Sequence, residues 1–126
     1  MHLTLDLDSE IPIYVQIRNQ VVEAIADGEL TEGSPLPSTR QLASDLGINF
    51  HTVNKAYDLL RRQAVIRINR KSGAVVRRDP WSGPPESGFV DEWEPRLRTL
   101  LAEAVAHGMD PAAVRERCDR VLGGWC

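Results

Sequence analysis

The sequence has little cysteine, few aromatic residues and no long apolar run. Its two cysteines, Cys118 and Cys126, lie late in the chain without a histidine at metal-ligand spacing, which supports neither a disulfide scaffold nor a zinc site. A redox role would need a dimer that brings two copies of Cys126 together. We expect Cys118 to be half-buried and Cys126 to lie at a frayed terminus. The apolar runs are too short to span a bilayer, and the start, MHLTLDLDSE, lacks the features of a secretory signal. We expect a soluble, cytoplasmic protein that contacts no membrane.

Catalytic motifs are also missing. The sequence contains no Cys-His or Ser-His-Asp set, no phosphate-cradling glycine-rich loop before a helix, and no carboxylate pair fixed by spacing. We therefore predict that the protein is not an enzyme and uses no cofactor and no metal.

Charge is divided unevenly along the chain, although the net charge is only −3. Up to Pro37 the chain carries seven carboxylates and one strong base, Arg18. Between Ser38 and Arg78 it carries nine strong bases and two acids, a net charge of +7, and beyond Arg78 it is acidic again. A basic segment of this kind is the electrostatic footprint that a nucleic acid requires.

Helical patterns dominate the first half of the chain. Apolar residues spaced four apart predict an amphipathic helix over 12–27, which Gly28 ends. The loop TEGSPLPS then leads into a capping box, in which Ser38 accepts a hydrogen bond from the Gln41 backbone and Gln41 can return one. This second helix is short and ends at Gly47.

A helix-turn-helix is predicted around Gly47. Only Ile48 separates this glycine from Asn49, a good N-cap for a third helix. Two helices joined by so short a turn present the second one to the major groove of DNA. Its apolar stripe leaves hydrogen-bonding residues on the outside or at its start, suited to bases or phosphates: Asn49, His51, Thr52, Asn54 and Lys55.

A β-hairpin with a basic tip follows. Two β-prone runs, 65–68 and 74–77, flank a turn rich in polar residues and glycine. Attached after a helix-turn-helix, this hairpin is a wing that would reach the sugar-phosphate backbone or the minor groove. The wing candidates are Arg70, Lys71, Ser72 and Gly73.

A two-helix tail ends the chain. The stretch RDPWSGPPESG predicts a linker over 79–90 between a first domain, 1–78, and the tail, 91–126. Two short amphipathic helices have too little core to fold alone, so their apolar faces must pack on the first domain or on a second copy of the chain. We expect a homodimer whose interface contains Trp93, Leu97, Leu100, Leu101, Ala104, Val105, Val114, Cys118, Val121 and Leu122.

The predicted fold class is mainly α with a small β-hairpin: a winged helix-turn-helix followed by a two-helix C-terminal tail. Three segments, PIYVQIRNQVVEAIADGEL, LPSTRQLASDLGINFHTVNKAYDLL and RKSGAVV, together resemble the winged helix-turn-helix of the GntR family of bacterial transcription regulators. The resemblance covers about residues 11–77. The short tail is similar to that of the YtrA-like subfamily, which lacks large effector domains.

The resemblance implies a set of contacts to double-stranded DNA. It places Arg40 of PSTRQLA on a phosphate or a base, and the start of the recognition helix in the major groove. Phe50 has two interpretations there, packing in the core or contact with a thymine methyl. Ala64 stands where the family usually has a glycine before the wing. The expected DNA-binding residues are Ser38, Thr39, Arg40, Asn49, Phe50, His51, Thr52, Asn54, Lys55, Arg70, Lys71, Ser72 and Gly73.

Two functions of different classes are open at this point. The leading hypothesis is a homodimeric repressor that places two recognition helices about 34 Å apart on a palindromic operator. The alternative is a winged-helix adaptor that binds a protein and not DNA; the basic centre disfavours it, and salt-insensitive partner binding would favour it. A small-molecule effector would need a pocket at the dimer interface, because the short tail leaves little room for the usual ~300 Å³.

Overall fold

Five helices and two strands make up the described part of the chain, residues 2–125, in a computed structural model. Met1 and Cys126 lie outside the described residues. The predicted fold class is confirmed, and within the described range no helix combines the length and hydropathy that crossing a membrane requires. In chain order the elements are α1 (Ile13–Ala26), α2 (Thr39–Leu46), α3 (Phe50–Arg62), β1 (Ile66–Asn69), β2 (Gly73–Val76), α4 (Phe89–Ala106) and α5 (Pro111–Gly123).

The chain forms two compact units that divide after Ser82. In the first unit, α3 packs against both α1 and α2 and also contacts β1. Its apolar stripe therefore lies at the centre of the core, and the largest fully buried side chains are Ile17, Val21, Val53, Leu60, Ile66 and Val76.

Tyr57 joins the recognition helix to the loop before α2. Its ring is buried, and its hydroxyl donates a 2.7 Å hydrogen bond to the Pro37 carbonyl. Burial raises the pKa of the Tyr57 hydroxyl well above its ordinary value, so this donor keeps its proton at any physiological pH.

The helix-turn-helix forms as the sequence predicts, with one difference. Ser38 accepts a hydrogen bond from the Gln41 backbone, and Gly47 ends α2 with a left-handed φ of 67°. The Gln41 side chain, however, donates to Asp45, four residues further along α2, at 2.7 Å. It does not return a bond to Ser38, since a partner one helical turn away competes for it.

The wing is a two-stranded antiparallel hairpin bonded on both sides of β2. Ile66 lies opposite Val76, and Asn69 lies opposite Gly73, so the strands are shifted by one residue from the predicted runs. On the other side of β2, the Leu36 backbone donates to the Ala74 carbonyl at 2.8 Å. The loop before α2 thus holds the wing in place.

An N-terminal arm, residues 3–6, lies along α1. The sequence analysis did not predict it. The Gln20 side chain exchanges two hydrogen bonds with the backbone of Thr4, and the Gln16 side chain does the same with Asp6. Leu3 and Leu5 pack against the core of the first unit. Two glutamine amides therefore pair with the arm as a neighbouring strand would.

The first residues of the predicted linker 79–90 are bonded to the first unit. The Asp79 carboxylate accepts a 2.8 Å hydrogen bond from the Glu32 backbone, which, as the largest cause, lowers the pKa of Asp79. The Trp81 ring approaches to 3.1 Å the position that a Cβ atom on Gly28 would occupy. A side chain larger than hydrogen at that glycine would displace the ring.

The second unit consists of α4 and α5, which contact each other. Helix α4 begins at Phe89, inside the segment predicted as a linker, and includes Pro95; α5 follows its N-cap, Asp110. None of the described residues of either helix is buried. Of the residues in the predicted dimer interface, five are half-buried: Leu97, Leu101, Ala104, Val114 and Cys118.

Ala64, between α3 and β1, adopts a left-handed backbone with φ of 60°. This conformation costs a residue with a Cβ atom roughly 1–2 kcal/mol, whereas glycine adopts it freely. We expect Ala64→Gly to raise the free energy of unfolding by about 1 kcal/mol, the strain relief less the extra entropy of the unfolded chain. Thermal or urea denaturation would measure the change.

A matched control is Ala26→Gly at the end of α1, where φ is helical. There the same substitution should lower stability, because glycine is the weaker helix former. Equal losses at both positions would mean that the Ala64 backbone is not strained.

Candidate nucleic-acid interface

The start of α3 presents a polar, mostly exposed surface. Asn49 caps the helix: its Oδ1 accepts a 2.8 Å hydrogen bond from the His51 backbone. That oxygen is engaged by the helix, and the Asn49 NH₂ group is available to donate to DNA. His51, Asn54 and Lys55 are exposed, whereas Thr52 is half-buried.

Phe50 links α2 to this surface. The Arg40 guanidinium of α2 lies 4.6 Å from the centroid of the Phe50 ring, and the His51 ring lies 4.2 Å from it. Phe50 is also half-buried against the core. Of the two interpretations of Phe50, the structure supports packing, with Arg40 over the ring and the His51 ring tilted by 32° against it.

Lys55 contacts a residue that the sequence analysis did not select. Its Nζ lies 4.2 Å from the centroid of the Tyr14 ring, on the first turn of α1. No sequence signal marked Tyr14, because it stands beside the apolar stripe of α1 and contacts Lys55 only through the packing of α1 on α3.

Asp58 forms salt bridges with two arginines near the end of α3. One carboxylate oxygen accepts from Arg61 at 2.7 Å and the other from Arg62 at 3.0 Å. The bond from Arg61 is the largest cause that lowers the pKa of Asp58. The two arginines are exposed, but their charge is partly neutralised within the helix.

The wing candidates lie at the tip of the hairpin. The Asn69 side chain accepts a 2.6 Å hydrogen bond from the Ser72 backbone, which closes the turn. Gly73 has a φ of 70°, with no atom within 4 Å of the position of a Cβ, so backbone conformation and not space requires glycine there. Arg70, Lys71 and Ser72 are exposed.

The remaining candidates flank Arg40 or lie in the tail. Ser38 is committed to the N-cap of α2, and Thr39 is half-buried beside it. In the tail, large apolar residues of the predicted interface are exposed, in addition to the half-buried ones: Trp93, Leu100, Val105, Val121 and Leu122.

Comparison with known proteins decides the family. A family model for bacterial regulatory proteins of the gntR family matches residues 13–76, from the start of α1 to the end of the wing. The chain belongs to the GntR family. The match covers the helix-turn-helix and the wing together, which are the elements that carry the candidate interface.

This GntR chain is similar in sequence to the transcriptional repressor YtrA of Bacillus subtilis (strain 168), with 31% identity over 90% of this chain and 87% of that protein. It is 34% identical to the transcriptional regulator Rv1152 of Mycobacterium tuberculosis over 62% of this chain, and the match spans 65% of that regulator's length.

In structure, this GntR chain resembles YtrA from Sulfolobus acidocaldarius, a GntR-family transcription factor. The identity is 41%, the TM-score is 0.64, and the match covers 82% of this chain and 97% of that one. The protein is a YtrA-like GntR regulator. Its relatives are regulators and not enzymes, which agrees with the prediction from the sequence.

Proposed function

We propose that the protein is a sequence-specific repressor that binds a palindromic operator in double-stranded DNA as a homodimer. The observation that carries this proposal is the start of α3, where exposed hydrogen-bonding residues stand beside the stacked Arg40. Side chains at this end of a recognition helix reach base edges in the major groove. Repression would follow from occupation of a promoter.

The candidate DNA-binding residues divide into two kinds of contact. Arg40, Arg70 and Lys71 are exposed cations on α2 and on the wing, placed to pair with phosphates. His51 and Asn54 are exposed on α3 and offer donors and acceptors for base edges. Phosphate contacts supply affinity on any sequence, and base contacts supply preference.

The tail supports the dimer. Helices α4 and α5 leave Leu100 62% exposed and Val121 58% exposed in the single chain. Exposed apolar side chains on two short helices favour association with a second copy, because each helix pair buries too little surface alone. A twofold dimer would match the symmetry of a palindrome.

Fluorescence anisotropy tests the proposal. The full-length protein is titrated onto the duplex upstream of its own gene and onto a scrambled duplex, over a salt series, together with Arg40→Ala. We expect salt-dependent binding that prefers the upstream duplex. Arg40→Ala should weaken binding to both duplexes about 10-fold and lower the slope of log K against log salt by about 0.9, since one phosphate contact is lost.

Base-contact variants should behave differently. His51→Ala and Asn54→Ala should reduce preference among sequences by about 1–3 kcal/mol for each good contact while leaving the salt slope unchanged. Arg98→Ala, an exposed cation of α4, is the matched control and should change neither. If the Arg40 variant and the His51 and Asn54 variants lost affinity equally on every duplex, the division into phosphate and base contacts would be refuted. If the protein bound no DNA even at low salt, the winged-helix adaptor that binds a protein would be favoured.

A further inference from the structure

An aromatic ring from another helix holds Lys55 in place. The 4.2 Å between the Lys55 ammonium and the Tyr14 ring centroid is well within the ~6 Å reach of a cation–π contact. Lys55 is exposed on α3, whereas Tyr14 is half-buried on α1. The flexible side chain is therefore the one that the contact restrains.

The Tyr14 ring is held in one position by its surroundings. Its ring packs against the hydrophobic core of the first unit. Two residues later, the buried Gln16 side chain donates to the carbonyls of Asp6 and Ile11. The first turn of α1 is thus bound on its inner side by the core and to the N-terminal arm by hydrogen bonds, so the ring has little freedom to move with the lysine.

The same arrangement occurs at a second cation of the interface. The Arg40 guanidinium lies 4.6 Å from the centroid of the Phe50 ring, as the Lys55 ammonium lies 4.2 Å from that of the Tyr14 ring. Both cations are predicted DNA contacts, and in both pairs ring and cation come from different helices. At both positions an aromatic ring thus contacts a cation of the candidate interface.

We propose that Tyr14 is a positioning residue for DNA binding. Its ring keeps the Lys55 ammonium in the place where it meets a phosphate, so that less side-chain freedom is lost when DNA binds. The proposal rests on the proposed function and adds to it a residue that itself pairs with no base. A long lysine side chain that is already restrained binds more tightly than a free one with the same charge.

A double-mutant cycle in the full-length protein tests this role. Tyr14→Leu should weaken binding about 3-fold to 10-fold and leave the salt slope unchanged, because the ammonium still reaches its phosphate. Lys55→Ala should weaken binding and lower the slope by about 0.9. In the Lys55→Ala background, Tyr14→Leu should have no further effect, whereas combined with Arg40→Ala its effect should add in full.

Two further variants and measurements separate positioning from folding. Tyr14→Phe keeps the ring and should bind within about 2-fold of the unaltered protein. Without DNA, the ring-current shift of the Lys55 ε-methylene protons in NMR spectra should be present in the unaltered protein and in Tyr14→Phe, and absent in Tyr14→Leu. Melting temperatures of all variants report any loss of structure.

The outcomes are distinct. If the unaltered protein binds DNA and the losses of Tyr14→Leu and Lys55→Ala are additive, the positioning role is wrong and the proposed function stands. Tighter binding by Tyr14→Leu would mean that the ring withholds the lysine, which also overturns the role. If the unaltered protein binds no DNA, the proposed function fails and this role fails with it, whatever the ring-current shift.

Discussion

Leu100→Asp is expected to convert the protein from a dimer into a monomer and to weaken binding to a palindromic duplex about 100-fold or more. Leu100 is 62% exposed in the single chain, so a carboxylate there costs the fold of one chain little. In the proposed dimer the same carboxylate would be buried without a partner. Loss of the second recognition helix removes the gain of two linked half-sites, which is on the order of 10²–10⁴.

The mass and the affinity are measured separately. Light scattering at micromolar concentration should give twice 14.1 kDa for the unaltered protein and 14.1 kDa for Leu100→Asp. Anisotropy measures the affinity for a palindromic duplex and for a duplex with a single half-site. The Leu100→Asp variant should lose its preference for the palindrome and keep its affinity for the half-site.

Ala102→Asp is the matched control. Ala102 is exposed on the same helix but about 200° around it from Leu100, on the side that also carries Asp91 and Arg98. The Ala102→Asp variant should remain dimeric. An unaltered protein that is monomeric under these conditions would refute dimerisation through the tail.

Gln16→Leu is expected to lower the free energy of unfolding by about 3 kcal/mol. The Gln16 side chain is only 8% exposed and makes three hydrogen bonds: it accepts from the Asp6 backbone and donates to the Asp6 and Ile11 carbonyls. Leucine has a similar volume but leaves all three backbone groups without this partner, at about 1 kcal/mol each. Urea denaturation measures the difference.

Gln20→Leu separates burial from hydrogen bonding. Gln20 is half-buried and makes an equivalent pair of bonds to the backbone of Thr4, but these bonds are exposed to solvent. Water can replace those bonds, so the loss should stay below about 1 kcal/mol. Equal losses for the two variants would mean that the N-terminal arm contributes nothing through its buried groups.

The helix-turn-helix was predictable because its signals are local. Ser38, Gly47 and Asn49 each act on backbone groups within a few residues, so their spacing alone locates α2, the turn and α3. The same holds for the wing, where Gly73 and the β-prone runs placed the strands to within one residue.

The parts that could not be predicted depend on contacts between distant segments. Glutamine is ordinarily a surface residue, so no pattern showed that Gln16 would be buried against the N-terminal arm. The contact between Tyr14 and Lys55 depends on how α1 packs on α3. The prolines and glycines of RDPWSGPPESG indicated a linker as far as residue 90, yet α4 begins at Phe89.

The carboxylate of Asp58 affects how a regulator searches a chromosome. Arg61 and Arg62 are each bonded to it at 3.0 Å or less, so it partly neutralises the positive charge that either presents to a phosphate, on any sequence. In the proposed complex this lowers affinity for random DNA without changing the proposed contacts between the start of α3 and the bases. Because a genome offers about 10⁶–10⁹ competing sites, a restraint on indiscriminate binding leaves more of the protein free to occupy its operator.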